Sequence, residues 1–183
     1  MLKKIINDTA KQSKSEMIKN VLVIVAIFFC KLVYAQEHTT TFEITGKVKS
    51  EKTISIADLD KFKIVELKDV NISCSPKKED KAGIVKAVLL KDLLDTVTYD
   101  YQSRKELNEF YFVFEASDGY RILFSFNEIY NTQTGNNLFV VTELDGKKAG
   151  DMENGILILT TKDIKQGSRN MKWLKKIIVN KAE

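Results

Sequence analysis

Glu109-Phe110-Tyr111-Phe112-Val113-Phe114-Glu115-Ala116 and Tyr120-Arg121-Ile122-Leu123-Phe124-Ser125-Phe126 flank the tripeptide Ser117-Asp118-Gly119. Both flanks are aromatic and β-branched, the composition that suits a pleated, half-buried surface. The tripeptide is a hairpin signal in which the glycine supplies a positive φ. The stretch therefore predicts two antiparallel strands. Ser125 to Glu128 has the form of a capping box and predicts a short helix straight after the second strand.

Working outward, Thr41 to Lys49 (TFEITGKVK) alternates, with Phe42, Ile44 and Val48 on one face and a turn near Gly46. Thr53 to Ile56 reads as a second short strand, and Ala57 to Phe62 as a helical turn closed by Leu59 and Phe62. Lys63 to Ser73 alternates again, offering Val65, Leu67, Val70 and Ile72 to a core. A polar loop follows over Pro76 to Lys81. Leu89, Leu90, Leu93 and Leu94 stand at helical spacing and predict an amphipathic helix over Val85 to Val97. Leu138 to Glu143, Gly155 to Thr160 and Met171 to Val179 complete the predicted strands. Many short strands with two or three small helices describe a mainly β, α+β domain. One Pro and 8 Gly in 183 residues leave no Pro- or Gly-rich linker to divide it.

The N-terminal segment has a different character. Val21 to Phe29 is an unbroken apolar run, preceded by Lys19 and followed by Val33-Tyr34-Ala35. This is the pattern of a cleavable signal peptide over residues 1–35, with cleavage before Gln36 and the domain proper over residues 36–183. The run is about half of what a bilayer span needs. Met17 is the tidier start for such a leader. Phe28 and Phe29 before Cys30 are too bulky for lipoprotein processing, so the expected product is free of a membrane anchor, periplasmic or secreted.

Removing the leader also removes the basic excess. The chain has 29 Lys+Arg against 25 Asp+Glu, and residues 36–183 hold 23 of each sign. A balanced domain gives no electrostatic case for nucleic acid. The sole histidine, His38, lies just past the cleavage point. That excludes Ser-His-Asp catalysis, Cys-His activation and a His-based zinc or iron site from the domain proper. No phosphate-cradling glycine loop is present. Cys74 is the single cysteine left, so no intramolecular disulfide can form although the compartment permits one.

Several segments, in order, resemble the molybdopterin-binding domain of the sulfite oxidase and methionine sulfoxide reductase family. They are Phe42 to Val48 with Ile54 to Leu59; Val70-Asn71-Ile72-Ser73-Cys74; Val88 to Leu94; Ala116 to Tyr120; and Gly167-Ser168-Arg169-Asn170-Met171-Lys172-Trp173-Leu174. Together they span nearly all of residues 42–179, and the last is the most specific. The resemblance implies a molybdopterin (molybdenum) cofactor, with Cys74 as both catalytic residue and metal ligand. A soft thiolate suits molybdenum. It implies a cofactor-binding stretch in Gly167, Ser168, Arg169 and Lys172, the two cations lying at the pterin phosphate as fork and point charge. A small oxyanion substrate and a redox partner protein would follow. From the residues alone, Cys74 reads equally as a small apolar residue at a strand end, and Arg169 and Lys172 as a solvated basic strand end. A continuous strand would aim the two cations at opposite faces, so a shared role needs Arg169 in the loop before the strand. Asp118 and Tyr120 are expected to shape the hairpin, and Trp173 to pack in the core.

Three features depart from the family pattern. Only the short tail Gln36 to Thr40 stands where the family's His- and Arg-bearing segment would be. Arginine is confined to Arg104, Arg121 and Arg169 in the entire chain. The leader has no arginine pair, and so reads as a general secretory signal that passes unfolded chains, whereas this cofactor is inserted into a folded protein before export. The alternative expectation is a non-catalytic extracytoplasmic module that binds a small ligand or a protein on the same fold. N-terminal sequencing of the exported protein is expected to return Gln36 first; a chain retaining Val21 to Phe29 would overturn the leader reading. A precursor peptide from residues 1–16 would overturn the start at Met17.

Overall fold

The structure is a computed structural model, and it describes residues 39–183 except 76 and 78. The expected leader, its cleavage point and His38 lie outside the described residues. The expected class, α+β and mainly β, is the one found. Ten strands are present among the described residues: β1 (Thr41–Gly46), β2 (Lys52–Ser55), β3 (Ile64–Asn71), β4 (Lys81–Leu89), β5 (Phe110–Ala116), β6 (Arg121–Ser125), β7 (Leu138–Leu144), β8 (Lys147–Lys148), β9 (Ile158–Thr160) and β10 (Leu174–Lys181). They form two five-stranded sheets. The first runs β2-β1-β10-β5-β6. The second runs β3-β4-β7-β8, with β9 also paired to β7.

The aromatic hairpin around Ser117-Asp118-Gly119 is the β5–β6 pair, in register Phe112 to Phe124 and Phe114 to Ile122. β10 lies between β5 and β1, antiparallel to the first and parallel to the second. The beginning and end of the domain are thus stitched side by side. Gly46 ends β1 at φ +92°, and a Cβ there would come within 2.2 Å of the Val179 carbonyl oxygen. The turn foreseen near this glycine is therefore enforced by close backbone approach.

Alternation in the first sheet is clean. Phe42, Ile44, Ile54, Phe110, Phe112, Phe114, Ile122, Phe124, Ile177 and Val179 all point into one core cluster, which Leu138, Val140 and Val88 enter from the second sheet. The other face of the second sheet buries Ala82, Val85, Ala87, Phe139 and Val141 against Ala149, Met152 and Leu157. With both faces covered, Leu138 to Val141 is a continuous apolar run rather than an alternating one.

Three elements differ from the sequence reading. The helix expected over Val85 to Val97 is a strand up to Leu89, followed by a five-residue helix, Leu90–Leu94. Val85 to Leu89 pair with β7, and backbone pairing overrides the helical spacing of the leucines. Leu90, Leu93 and Leu94 are nonetheless fully buried, as helical spacing implied. The strand expected from Gly155 begins only at Ile158, because Gly155 holds φ +54°. The strand expected from Met171 begins at Leu174, because Trp173 holds φ +54°. The helix foreseen after Ser125 is present as Phe126–Tyr130, its Ser125 hydroxyl accepting from the Glu128 N–H at 3.1 Å.

Phe114 packs edge-to-face on Phe124 at 5.3 Å and is fully buried. Phe114→Ala is expected to cost about 3–5 kcal/mol in urea unfolding. Leu123→Ala, on the opposite face of the same hairpin, is expected to cost under about 1 kcal/mol.

Candidate functional site

Three connections converge at one end of the sheets: residues 72–75 after β3, the turn 117–120 between β5 and β6, and residues 161–173 before β10. Cys74, Asp118, Tyr120, Asn170, Met171, Lys172 and Trp173 line a cavity of about 220 Å³ between them. Cys74 and Lys172 are thus brought to one cavity.

Asn170 holds this junction in place. Its side chain is completely buried. Its Nδ2 donates to the Asn71 carbonyl at 3.1 Å and the Ser73 carbonyl at 2.8 Å. Its Oδ1 accepts from the Thr160 N–H at 2.9 Å and from the Thr160 hydroxyl at 3.3 Å. One amide therefore ties the cysteine loop to β9 and to its own loop, with donors and acceptor all used. Gly167 closes the same contact from below. It has φ +85°, and a Cβ there would meet the Ser73 carbonyl oxygen at 2.7 Å and the Ser75 carbonyl oxygen at 2.9 Å. Gly167 is required by backbone packing against the cysteine loop. The Ser168 carbonyl accepts from the Tyr120 hydroxyl at 3.0 Å, which draws the hairpin turn onto the loop.

The lip of the cavity carries strain. A tryptophan at φ +54° is a backbone outlier that the surroundings must over-determine. The Trp173 N–H donates to the Asn154 carbonyl at 2.9 Å, its carbonyl accepts from the Ser117 N–H at 2.9 Å, and its indole N–H donates to the Glu153 carbonyl at 2.9 Å. Trp173 was expected in the core. It is half-buried at the cavity instead, because the left-handed residue turns the chain before β10 starts.

Cys74 is exposed as a residue, yet desolvation dominates its sulfur and pushes the thiol up from its ordinary value. The Lys172 ammonium and the Lys172 backbone N–H oppose that rise, and Asp118 adds to it. The thiol is protonated at neutral pH, unlike the electropositive, low-pKa cysteines of nucleophilic sites. Tyr120 is also pushed up, first by burial and then by Cys74 and Asp118. Asp118 shapes the hairpin as expected, its Oδ1 accepting from the Tyr120 N–H at 2.9 Å. Tyr120 does more than shape it, since its ring walls the cavity.

Arg169 does lie in the loop before the strand, but it is not among the residues lining the cavity. Its Nε donates to Asp163 at 2.8 Å and its Nη2 to the same carboxylate at 2.7 Å, while Nη1 is bonded to Glu128. The guanidinium carbon stands 4.4 Å from the centre of the Phe124 ring. These contacts raise the guanidinium further above its ordinary value, Asp163 first, and hold Asp163 below the usual carboxylate range. Arg169 is a latch between its own loop and the helix Phe126–Tyr130. The expected phosphate fork is already filled by two carboxylates of this chain, and Glu128 is diverted from completing the capping box at Ser125.

No family model matches this chain, and no curated protein matches it. Among solved structures it is similar to the sulfane dehydrogenase SoxCD from Paracoccus pantotrophus, with a TM-score of 0.52 and 10% identity. The match covers 80% of this chain and 39% of that one, so this chain spans well under half the length of the protein it superposes on. At that identity the likeness is a distant one of fold. It agrees in fold with the resemblance read from the ordered segments.

Asn170→Ala removes the shared amide and leaves the Asn71 and Ser73 carbonyls and the Thr160 N–H without it. It is expected to lower stability by roughly 2–3 kcal/mol in urea unfolding. It is also expected to speed alkylation of Cys74 by iodoacetamide at fixed pH, because the 71–75 backbone loses its anchor. Unchanged alkylation in a folded Asn170→Ala protein would contradict that anchoring role.

Proposed function

We propose that this protein is an extracytoplasmic module on an oxidoreductase-type fold that binds a small oxyanion in the Cys74–Lys172 cavity. The observation that carries the reading is the division of labour between the two expected cations. Arg169 is committed to Asp163 and Glu128, whereas Lys172 stands on the cavity wall with no ion pair among the described residues. Lys172 offers a point charge, Cys74, Asp118 and Tyr120 line the same space, and Trp173 adds an apolar ring. About 220 Å³ lies below the usual range for drug-sized ligands and suits a few heavy atoms. Signal peptide, export and the absence of a membrane anchor belong to the same proposal and rest on the sequence.

The molybdopterin cofactor is the second reading, favoured by the reachable thiol of Cys74 beside a cation and by the fold likeness to a sulfane dehydrogenase. The residues present fit that group poorly. The position expected to hold its phosphate is occupied by an internal ion-pair latch, and the Gly167 cradle is filled by the Ser73 and Ser75 carbonyls. The cavity is also small for a pterin with its phosphate.

Calorimetric titration of the purified protein with sulfite, sulfate and thiosulfate tests the first reading. At least one is expected to bind, and Lys172→Ala is expected to weaken it about tenfold or more, the loss of a charge-assisted contact. Arg169→Lys is expected to lower the unfolding midpoint and leave anion affinity within about twofold. Molybdenum near one per chain with pterin fluorescence, in protein taken from its native exported fraction, would replace this reading with the enzyme. In that case Cys74→Ser would abolish turnover.

A further inference from the structure

Three sheet edges are formed by strands of four or more residues: β2, β6 and β3. Two of them are blunted. β2 is a four-residue polar segment, KTIS, led by Lys52. β3 is charged along its outer positions and broken by Asp69 at φ +52°, opposite which the register skips a pair. Bulges and charges of this kind stop an edge from pairing with another chain. β6 has no bulge, and its one charge, Arg121 at the first position, is already paired with Glu115 on β5. Its register with β5 is unbroken from Arg121 to Ser125, and its middle residue, Leu123, is 53% exposed.

The hydrogen-bond phase of the hairpin fixes what this edge offers. The Ala116 N–H donates to the Tyr120 carbonyl at 2.9 Å, so the pair 116–120 is a hydrogen-bonded one. In an antiparallel ladder such pairs alternate. Ile122 and Phe124 therefore bond inward to Phe114 and Phe112. Arg121, Leu123 and Ser125 direct their N–H and C=O groups away from β5, off the sheet. The Ser125 carbonyl is taken by the first turn of the helix Phe126–Tyr130, so the groups this edge offers are those of Arg121 and Leu123 with the Ser125 N–H.

The side chains of the outer sheet face are also in ordered rows. Glu43, Lys176, Glu115 and Arg121 are in register across four strands and form two ion pairs, Lys176–Glu43 at 3.0 Å and Arg121–Glu115 at 2.5 Å. The next row is Ile178, Val113 and Leu123, apolar up to the open edge.

We propose that β6 is a two-fold self-association edge, pairing antiparallel with β6 of a second copy of this chain about an axis at Leu123. The five-residue strand has Leu123 at its centre, so the antiparallel two-fold places Leu123 opposite its own copy. The pair falls in the outward-bonding phase, and the two residues exchange both backbone hydrogen bonds. Arg121 then faces Ser125 of the second copy, so no like charges are opposed. The apolar row becomes continuous across the junction, running Ile178, Val113 and Leu123 and back in reverse order. A second copy fits better than an unrelated strand because this register satisfies backbone phase, apolar row and charge together, and an isologous contact closes on itself. The contact is short and implies a concentration-dependent dimer rather than an obligate one.

Sedimentation velocity on the purified full chain across micromolar to millimolar concentration tests the proposal. The weight-average mass is expected to rise toward twice the monomer. Leu123→Lys, which sets two like charges on the axis, is expected to weaken the dimer about tenfold or more, whereas Tyr101→Lys, at another exposed apolar side chain, leaves it unchanged. As a check that does not depend on how Leu123→Lys folds, Leu123→Cys in a background with both Cys30 and Cys74 replaced by Ser is expected to form a disulfide-linked dimer on mild oxidation. Hydrogen-bonded antiparallel partners have Cα atoms about 5.5 Å apart, within disulfide reach. A monomer at every concentration, or a dimer indifferent to Leu123→Lys that gives no cross-link through position 123, would overturn the proposal.

Discussion

The amide of Asn170 is the contact on which the rest of the site depends. It is buried, and it satisfies two carbonyls of the cysteine loop and the N–H and hydroxyl of Thr160 at once. Those groups belong to segments 99, 97 and 10 residues away along the chain, and the amide supplies each with a partner. An unsatisfied buried group costs as much as several surface ion pairs. The junction is therefore specified by polar complementarity more than by apolar packing. Gly167 beside it lets the two backbones approach, and the Tyr120 hydroxyl on the Ser168 carbonyl adds the hairpin turn. Cys74 and Lys172 meet because these backbone anchors leave them facing the same small space.

Arg169 shows how little a residue type says about its partner. A fork of donors before a strand suits a phosphate, and the same fork suits Asp163, which lies six residues earlier, and Glu128 on the helix after β6. Once two carboxylates and the Phe124 ring have taken the guanidinium, it serves the loop and no longer offers a free charge to a ligand. Lys172, three residues on, has no such commitment. The chemistry of the cavity rests on that asymmetry and on a thiol that burial pushes above its ordinary value.

The likeness to a sulfane dehydrogenase at 10% identity is one of fold alone. Folds carry many chemistries, and the site decides among them. Here the site is compact, carries Lys172, Asp118 and the Cys74 sulfur, and is walled by a strained tryptophan. Those features constrain a ligand by size and charge more closely than the fold does.

The sequence by itself determined the local elements whose signals are short-range: the β5–β6 hairpin with its turn at Asp118 and Gly119, the Ser125 cap, the turn at Gly46, and the mainly β, α+β class. Alternation and turn chemistry act over a few residues, so they can be read without knowing what lies across the sheet. It also marked Cys74 and Lys172, which the fold brings to one cavity. Only the tertiary structure decided that Val85 to Leu89 is a strand, because its helical spacing lost to pairing with β7. The roles of Asn170, Tyr120 and Trp173 were equally hidden. An asparagine among polar neighbours gives no local sign that its amide will bridge residues 71, 73 and 160, and a tryptophan between Lys172 and Leu174 gives none that its φ will be positive. Partners of that kind are chosen by chain closure over long separations, and so is the capture of Arg169 by Asp163 and Glu128.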